Sequence, residues 1–237
     1  MNVLPDLESM SRAAAELVVN HSTKAIEARG RFSLVLAGGG TPRRTYEHLA
    51  SGQFRSRVNW GKTHIFWGDE RCVPPDDQRS NERMAREAML DHVSVPPDQI
   101  VPIRCAGSAQ QAADVYETKL KTYFGNRAAD FDMILLGLGT DGHTSSLFPG
   151  SNALEEKKRW VAVAHSGKED FERVSLTPVI INRAKLIVFL VAGREKQKIL
   201  REVTAKETVD HQLPGRLIRP ANGQLVWLAD KEAAGIA

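Results

Sequence analysis

The sequence predicts an α/β fold: a mostly parallel sheet covered by helices on both faces, built as one domain over residues 1–237. Three observations predict it. Short apolar runs without polar alternation recur along the chain, as strands buried on both faces require. Segments with helical periodicity separate those runs. No linker, low-complexity tract or internal repeat divides the 237 residues, a length that α/β folds often reach as one domain.

The elements follow in order. Residues 7–29 place Leu7, Met10, Ala14, Leu17, Val18, Ala25 and Ile26 at mostly i, i+3, i+4, i+7 spacing, an amphipathic helix, and Gly30 stands where its cap belongs. Phe32–Ala37 is a buried strand. The chain then turns through Gly38, Gly39 and Gly40 and restarts as a helix at Thr41-Pro42, a capping hydroxyl followed by proline at the first helical position. His64–Trp67 reads as a strand, residues 68–79 as a polar loop, and residues 80–92 as a helix capped by Ser80. Residues 108–124 read as a helix, Phe131–Leu136, Trp160–Ala164 and Leu186–Val191 as strands, 194–203 as a helix and Leu225–Leu228 as a last strand.

Composition narrows the function. Lys+Arg 32 against Asp+Glu 29 leaves a net charge of +3, evenly spread, which argues against a dedicated nucleic-acid binder. The longest apolar run, 186–192, falls far short of the ~18 residues of a membrane span. Residues 1–10 lack a basic start and an apolar h-region, so no secretory signal is expected. Cys72 and Cys105 form neither a CxxC pair nor a zinc spacing, and are expected as buried free thiols in a reducing cytosol.

In such a sheet, ligands bind beyond the carboxyl ends of the strands, and the loops leaving them hold the candidates. Gly38-Gly39-Gly40-Thr41-Pro42 lets backbone approach a ligand and aims the free N–H groups of a helix start at it, a cradle for phosphate or carboxylate. Asp69-Glu70-Arg71 crowds three charges at a strand end. Gly137-Leu138-Gly139-Thr140-Asp141-Gly142 matches GxGxxG, but Pro149 leaves only His143–Phe148 for the helix that should follow, and the acidic residue expected about 20 positions on is missing, so dinucleotide binding is rejected. What remains is His143 at a sheet mouth, where imidazole serves as a general acid or base. Arg173 and Lys196 are two cations that complete a phosphate site with the glycine loop; Lys196 stands at a helix start, where the dipole disfavours it. There is no P-loop, no HExxH and no GxSxG elbow, so an activated water fits better than covalent catalysis.

Together, LAGGGTP, GDERCVP with Ser80-Asn81, LLGLGTDGHTSSLFPG, Arg173–Thr177 with Ile181-Asn182, Val191–Lys196, Leu213-Pro214 and Trp227–Asp230 closely resemble the 6-phosphogluconolactonase family over nearly the whole chain. The resemblance implies a modified Rossmann-like sheet. It implies hydrolysis of 6-phospho-D-glucono-1,5-lactone to 6-phosphogluconate in the oxidative pentose phosphate pathway. It further implies a cytoplasmic enzyme without cofactor or metal. By the same likeness His143 is the catalytic base, Asp69 and Arg71 line the lactone site, and Gly39, Gly40 and Thr41 hold the phosphate with Arg173 and Lys196. The expected partner is the sugar-phosphate lactone alone, with no nucleic acid or membrane, on a monomer or weak homodimer. Four positions depart from the family pattern: Gly40 replaces a frequent Ser, Glu82 a frequent aromatic, and Phe171-Glu172 frequent prolines.

Either Asp141 or Asp69 is left to orient His143, and either Arg71 or the N–H groups of the 137–142 turn to stabilise the oxyanion. Two rivals are weaker. A hexosamine-phosphate isomerase of the same superfamily carries Asn-Glu-Pro where this chain has Ser145-Ser146-Leu147-Phe148-Pro149, without a carboxylate. A non-catalytic sugar-phosphate regulator needs a DNA-binding module for which the chain has neither length nor a basic helix.

Overall fold

The computed structural model describes residues 1–167, 169–205 and 213–236. The chain forms β1 (Asn2–Leu4), α1 (Leu7–Arg29), β2 (Phe32–Leu36), α2 (Gly40–Ala50), β3 (Thr63–Trp67), β4 (Asp69–Arg71), α3 (Asn81–Ala88), β5 (Ile100–Val101), α4 (Ala109–Phe124) and β6 (Met133–Gly137). It continues with α5 (Asn152–Glu155), β7 (Val161–Ala164), β8 (Arg173–Leu176), α6 (Pro178–Ile181), β9 (Leu186–Val191), α7 (Gln197–Thr204), α8 (Pro214–Leu217), β10 (Gln224–Asp230) and α9 (Lys231–Ala234).

Strands β1, β10, β9, β6, β2, β3 and β5 pair in that order, all parallel. Every residue of β2 and β9 is buried, which explains their unbroken apolar sequence. Phe189 of β9 stacks on Trp227 of β10, ring centroids 3.9 Å apart. From β2 the chain passes through α2 to β3 on one side, whereas β6 lies on the other side of β2 and leads on to β9. The strand order therefore reverses between β2 and β6, the place where open α/β sheets bind ligands.

Several details differ from the sequence reading. The second helix starts at Gly40 with Gly39 as its N-cap, and no side chain caps it; Thr41 is inside the first turn. The 68–79 loop contains β4, which pairs antiparallel with β8, itself paired with β7 in a separate small sheet. Three charged residues form this strand because β8 pairs with it and neighbouring side chains and backbone meet its two carboxylates. The strands β1, β5 and β8 are too short or too polar to declare themselves. Residues 143–148 are not a helix: they turn, with a Thr144–Leu147 bridge and Ser145 at φ +49°.

The two cysteines are not free thiols. Cys72 and Cys105 form a disulfide, their Cα atoms 5.2 Å apart, tying the chain just after β4 to the loop before α4. The β3–β5 pairing brings these loops to the same end of the sheet, a proximity invisible in sequence spacing. A tie across 33 residues contributes about 3–4 kcal/mol by loop closure. Reduction is therefore expected to lower the melting temperature by roughly 10 °C, on the order of 2–4 °C per kcal/mol for a chain of this size. Calorimetry with and without a thiol reductant checks it; an unchanged melting temperature would mean the bond bears no load.

Candidate active site

A cleft of about 250 Å³ opens at the carboxyl ends of β2, β6 and β9. Gly39, Gly40, Thr41, Asp69, Arg71, His143, Arg173 and Lys196 all line it. The residues singled out in sequence are thus brought to one place, although they are spread over more than 150 positions.

Two buried tyrosines brace the strand ends that feed the cleft. The Tyr46 hydroxyl accepts the Ala37 N–H and donates to the Ala37 carbonyl, both at 2.8 Å. The Tyr116 hydroxyl does the same for Trp67, at 3.0 and 2.9 Å. Burial pushes both phenols well above their ordinary range, so they stay neutral donors.

The glycine loop leads into α2, whose first N–H groups have no side-chain cap and whose first residues line the cleft. Such a helix end favours an anion. Gly38 is glycine for a packing reason: a Cβ there would lie 2.0 Å from the Asn81 side chain.

His143 is held by its own turn. Gly142 donates to the Gly139 carbonyl at 3.0 Å, and Gly139 donates to the His143 carbonyl at 2.8 Å. Gly142 takes φ +84°, a conformation that other residues rarely adopt. A Cβ on Gly139 would lie 2.1 Å from His143 Nδ1. The turn places Nδ1 at 2.5 Å from Asp141 Oδ1, which also accepts the His143 backbone N–H at 3.1 Å. Burial opposes ionisation of Asp141, but the His143 backbone N–H and the adjacent ring outweigh it and hold the carboxyl below its ordinary value. An ionised carboxylate only accepts, so Nδ1 carries a proton, and in the neutral ring the lone pair is on Nε2. The Phe148 ring packs against the imidazole at 4.8 Å between centroids.

Asp69 is not the partner of His143. Its Oδ2 accepts the Ser146 hydroxyl at 2.6 Å and lies 3.7 Å from Arg173. Ser146 also donates its N–H to Ser175 Oγ at 3.2 Å, fastening the 143–148 turn to β8. The proximity of Ser146 to His143 in sequence has no counterpart in space as a nucleophile–base pair; its hydroxyl is committed to Asp69.

The three cations differ. Arg71 donates to the Arg79 carbonyl, and its buried Nε has no protein partner. Arg173 is buried, and its guanidinium gives two hydrogen bonds to Glu169 Oε2, at 3.0 and 2.6 Å. Phe148 and Phe171 flank it, each ring centre 5.5 Å away. Despite the Phe171-Glu172 departure, Arg173 reaches the cleft. Lys196 ends the turn Arg194–Lys196 before α7 and lines the cleft.

Sequence reasoning missed Asn81, Ser145 and Glu169. Asn81 and Ser145 line the cleft, and Glu169 occupies Arg173. Only Asn81 had a signal, the Ser80-Asn81 helix start.

The family model for glucosamine-6-phosphate isomerases/6-phosphogluconolactonase matches residues 5–227. The 6-phosphogluconolactonase of Synechocystis sp. is 44% identical, over 98% of this chain and 96% of its own. That of Nostoc sp. is 40% identical, with the same coverage of both chains. The solved structure of 6-phosphogluconolactonase from Trypanosoma brucei superposes with a TM-score of 0.87 at 31% identity, covering 99% of this chain and 97% of the other. The match of the family model over residues 5–227, with relatives 44% and 40% identical along almost the full length, places the chain in the glucosamine-6-phosphate isomerase/6-phosphogluconolactonase family.

Proposed function

We propose that the protein is a cytoplasmic, single-domain enzyme that hydrolyses 6-phospho-D-glucono-1,5-lactone to 6-phosphogluconate in the oxidative pentose phosphate pathway. The observation that carries the reading is the His143–Asp141 pair at the cleft mouth, which leaves Nε2 free to take a proton. The identity with lactonases along the whole chain supports it.

The 6-phosphate docks on Gly39, Gly40 and Thr41 at the start of α2, with Lys196 beside it. Arg173 joins when the phosphate displaces Glu169 from its guanidinium. The lactone carbonyl then lies toward His143 and Arg71. Nε2 of His143 takes a proton from water as the water oxygen attacks C1. The carbonyl π electrons move to oxygen, and the oxyanion is stabilised by a cation. Gly139 and Gly142 already donate their N–H groups within the turn, which favours Arg71 for that task. The tetrahedral intermediate collapses, the C1–ring-oxygen bond breaks, and the imidazolium returns the proton to the leaving oxygen. Asp141 holds the imidazole tautomer throughout; Asp69 organises Ser146 and Arg173.

The experiment compares the 6-phosphorylated lactone with glucono-1,5-lactone. Two charge-assisted contacts at about 1.5–3 kcal/mol each predict a kcat/KM roughly 10²–10⁴ higher for the phosphorylated substrate. Equal values would remove the glycine loop from phosphate binding, and with it this substrate assignment.

A further inference from the structure

The chemistry above uses Asp69 and Arg71 but not Glu70 between them. Glu70 is buried, 4% exposed, on a strand whose other two residues line the cleft. Its carboxylate is fully engaged. Oε1 accepts the N–H of Arg71 and the N–H of Asn81, each at 2.7 Å. Oε2 accepts the N–H of Glu82 at 2.7 Å and the Ser80 hydroxyl at 3.1 Å. Four donors match the acceptor capacity of one ionised carboxylate. Two of them are the first N–H groups of α3, and a third is the hydroxyl of its N-cap, Ser80, which in turn accepts the Arg83 N–H at 3.1 Å.

This carboxylate fastens α3 to β4, and α3 reaches back into the cleft. Asn81 Nδ2 donates to the Asp69 carbonyl at 2.9 Å, and its side chain fills the space beside Gly38. One buried group therefore sets the spacing between β4, the start of α3 and the glycine loop. Burial pushes the Glu70 carboxyl up to about 6 even against its hydrogen bonds. A charge kept in so unfavourable a place is kept for the four donors it receives.

We propose that Glu70 is a positioning residue for the reaction: by clamping the start of α3 onto β4, its carboxylate fixes Arg71 and Asn81 in the geometry that meets the lactone. The inference rests on the lactone-hydrolase reading above. It distinguishes Glu70 from a residue that merely supports the fold, because its effect must pass through the two side chains it places.

Glu70→Gln tests it. The amide keeps the shape but turns one acceptor oxygen into a donor facing N–H groups. With folding verified by circular dichroism, kcat on freshly generated lactone is expected to fall roughly 10- to 100-fold, the size of one or two charged hydrogen bonds, with KM changed less. In the background of Arg71→Ala with Asn81→Ala, the same substitution is expected to change kcat less than about threefold, since the groups it positions are gone. Equal fold losses in both backgrounds overturn the proposal and leave Glu70 a fold residue. Should Glu70→Gln not fold, Ser80→Ala removes a single donor, and the same two-background comparison applies to it. If the wild type accelerates lactone hydrolysis while Glu70→Gln keeps full kcat, the inference fails alone. If the wild type itself gives no acceleration, the lactonase reading fails and takes the inference with it.

Discussion

Replacing His143 by alanine is expected to lower kcat by about 10²–10⁴, the range that a general base contributes. The imidazole is the only group at the cleft mouth, among the described residues, that combines a lone pair with a carboxylate fixing its tautomer. Its ring is half-buried, so removing it leaves the core intact, and circular dichroism of the variant should match the wild type. Initial rates with the spontaneous hydrolysis subtracted give the comparison. A loss below about threefold would take His143 out of the proton transfer and leave the cleft as a binding site whose chemistry comes from elsewhere.

Asp141→Asn is the second large effect, with an expected loss of kcat on the order of 10²–10⁴. Asp141 accepts from both Nδ1 and the backbone N–H of His143. An asparagine can turn its NH₂ toward Nδ1, which then accepts, and Nε2 acquires the proton and can no longer take one from water. The loss should appear in kcat with little change in KM, because Asp141 holds the base and not the substrate. The depressed carboxyl has a second consequence. Asp141 remains ionised well below neutrality, so the orientation of His143 persists across the working pH range and is lost only as acid protonates Asp141. A variant with a raised KM and unchanged kcat would show that Asp141 contacts substrate instead of orienting the base.

Much of this was legible in the sequence, for reasons that can be traced. The strands β2 and β9 are buried on both faces, so their runs are uninterrupted, and α1 has the apolar spacing and the glycine cap that end where the structure ends them. The glycine loop and the Asp-Gly-His turn are local features, written in consecutive residues. What the sequence hid is set by contacts between distant segments. Strand β4 exists because β8 pairs with it, and its two carboxylates are satisfied by Ser146, Asn81 and the start of α3, from 10 to 77 positions away. Cys72 and Cys105 meet because β3 and β5 are neighbours. The choice between Asp141 and Asp69 depended on a turn closed by Gly139, and the link from Ser146 to Asp69 depends on a segment that turns. Gly40 in place of serine removes a hydroxyl, yet leaves the helix end uncapped by any side chain and lining the cleft.

The central claim is that this cleft opens a phosphorylated lactone by attack of water. The measurement that tests it most directly is the initial rate of 6-phosphogluconate formation from freshly generated 6-phosphogluconolactone, with the spontaneous background subtracted and glucosamine 6-phosphate run beside it under the same conditions. Strong acceleration with the lactone and no turnover of the amino sugar are expected, in keeping with the absence of a carboxylate from the Ser145–Pro149 segment. No acceleration with the lactone, together with conversion of glucosamine 6-phosphate, would contradict it and assign the cleft to isomerisation.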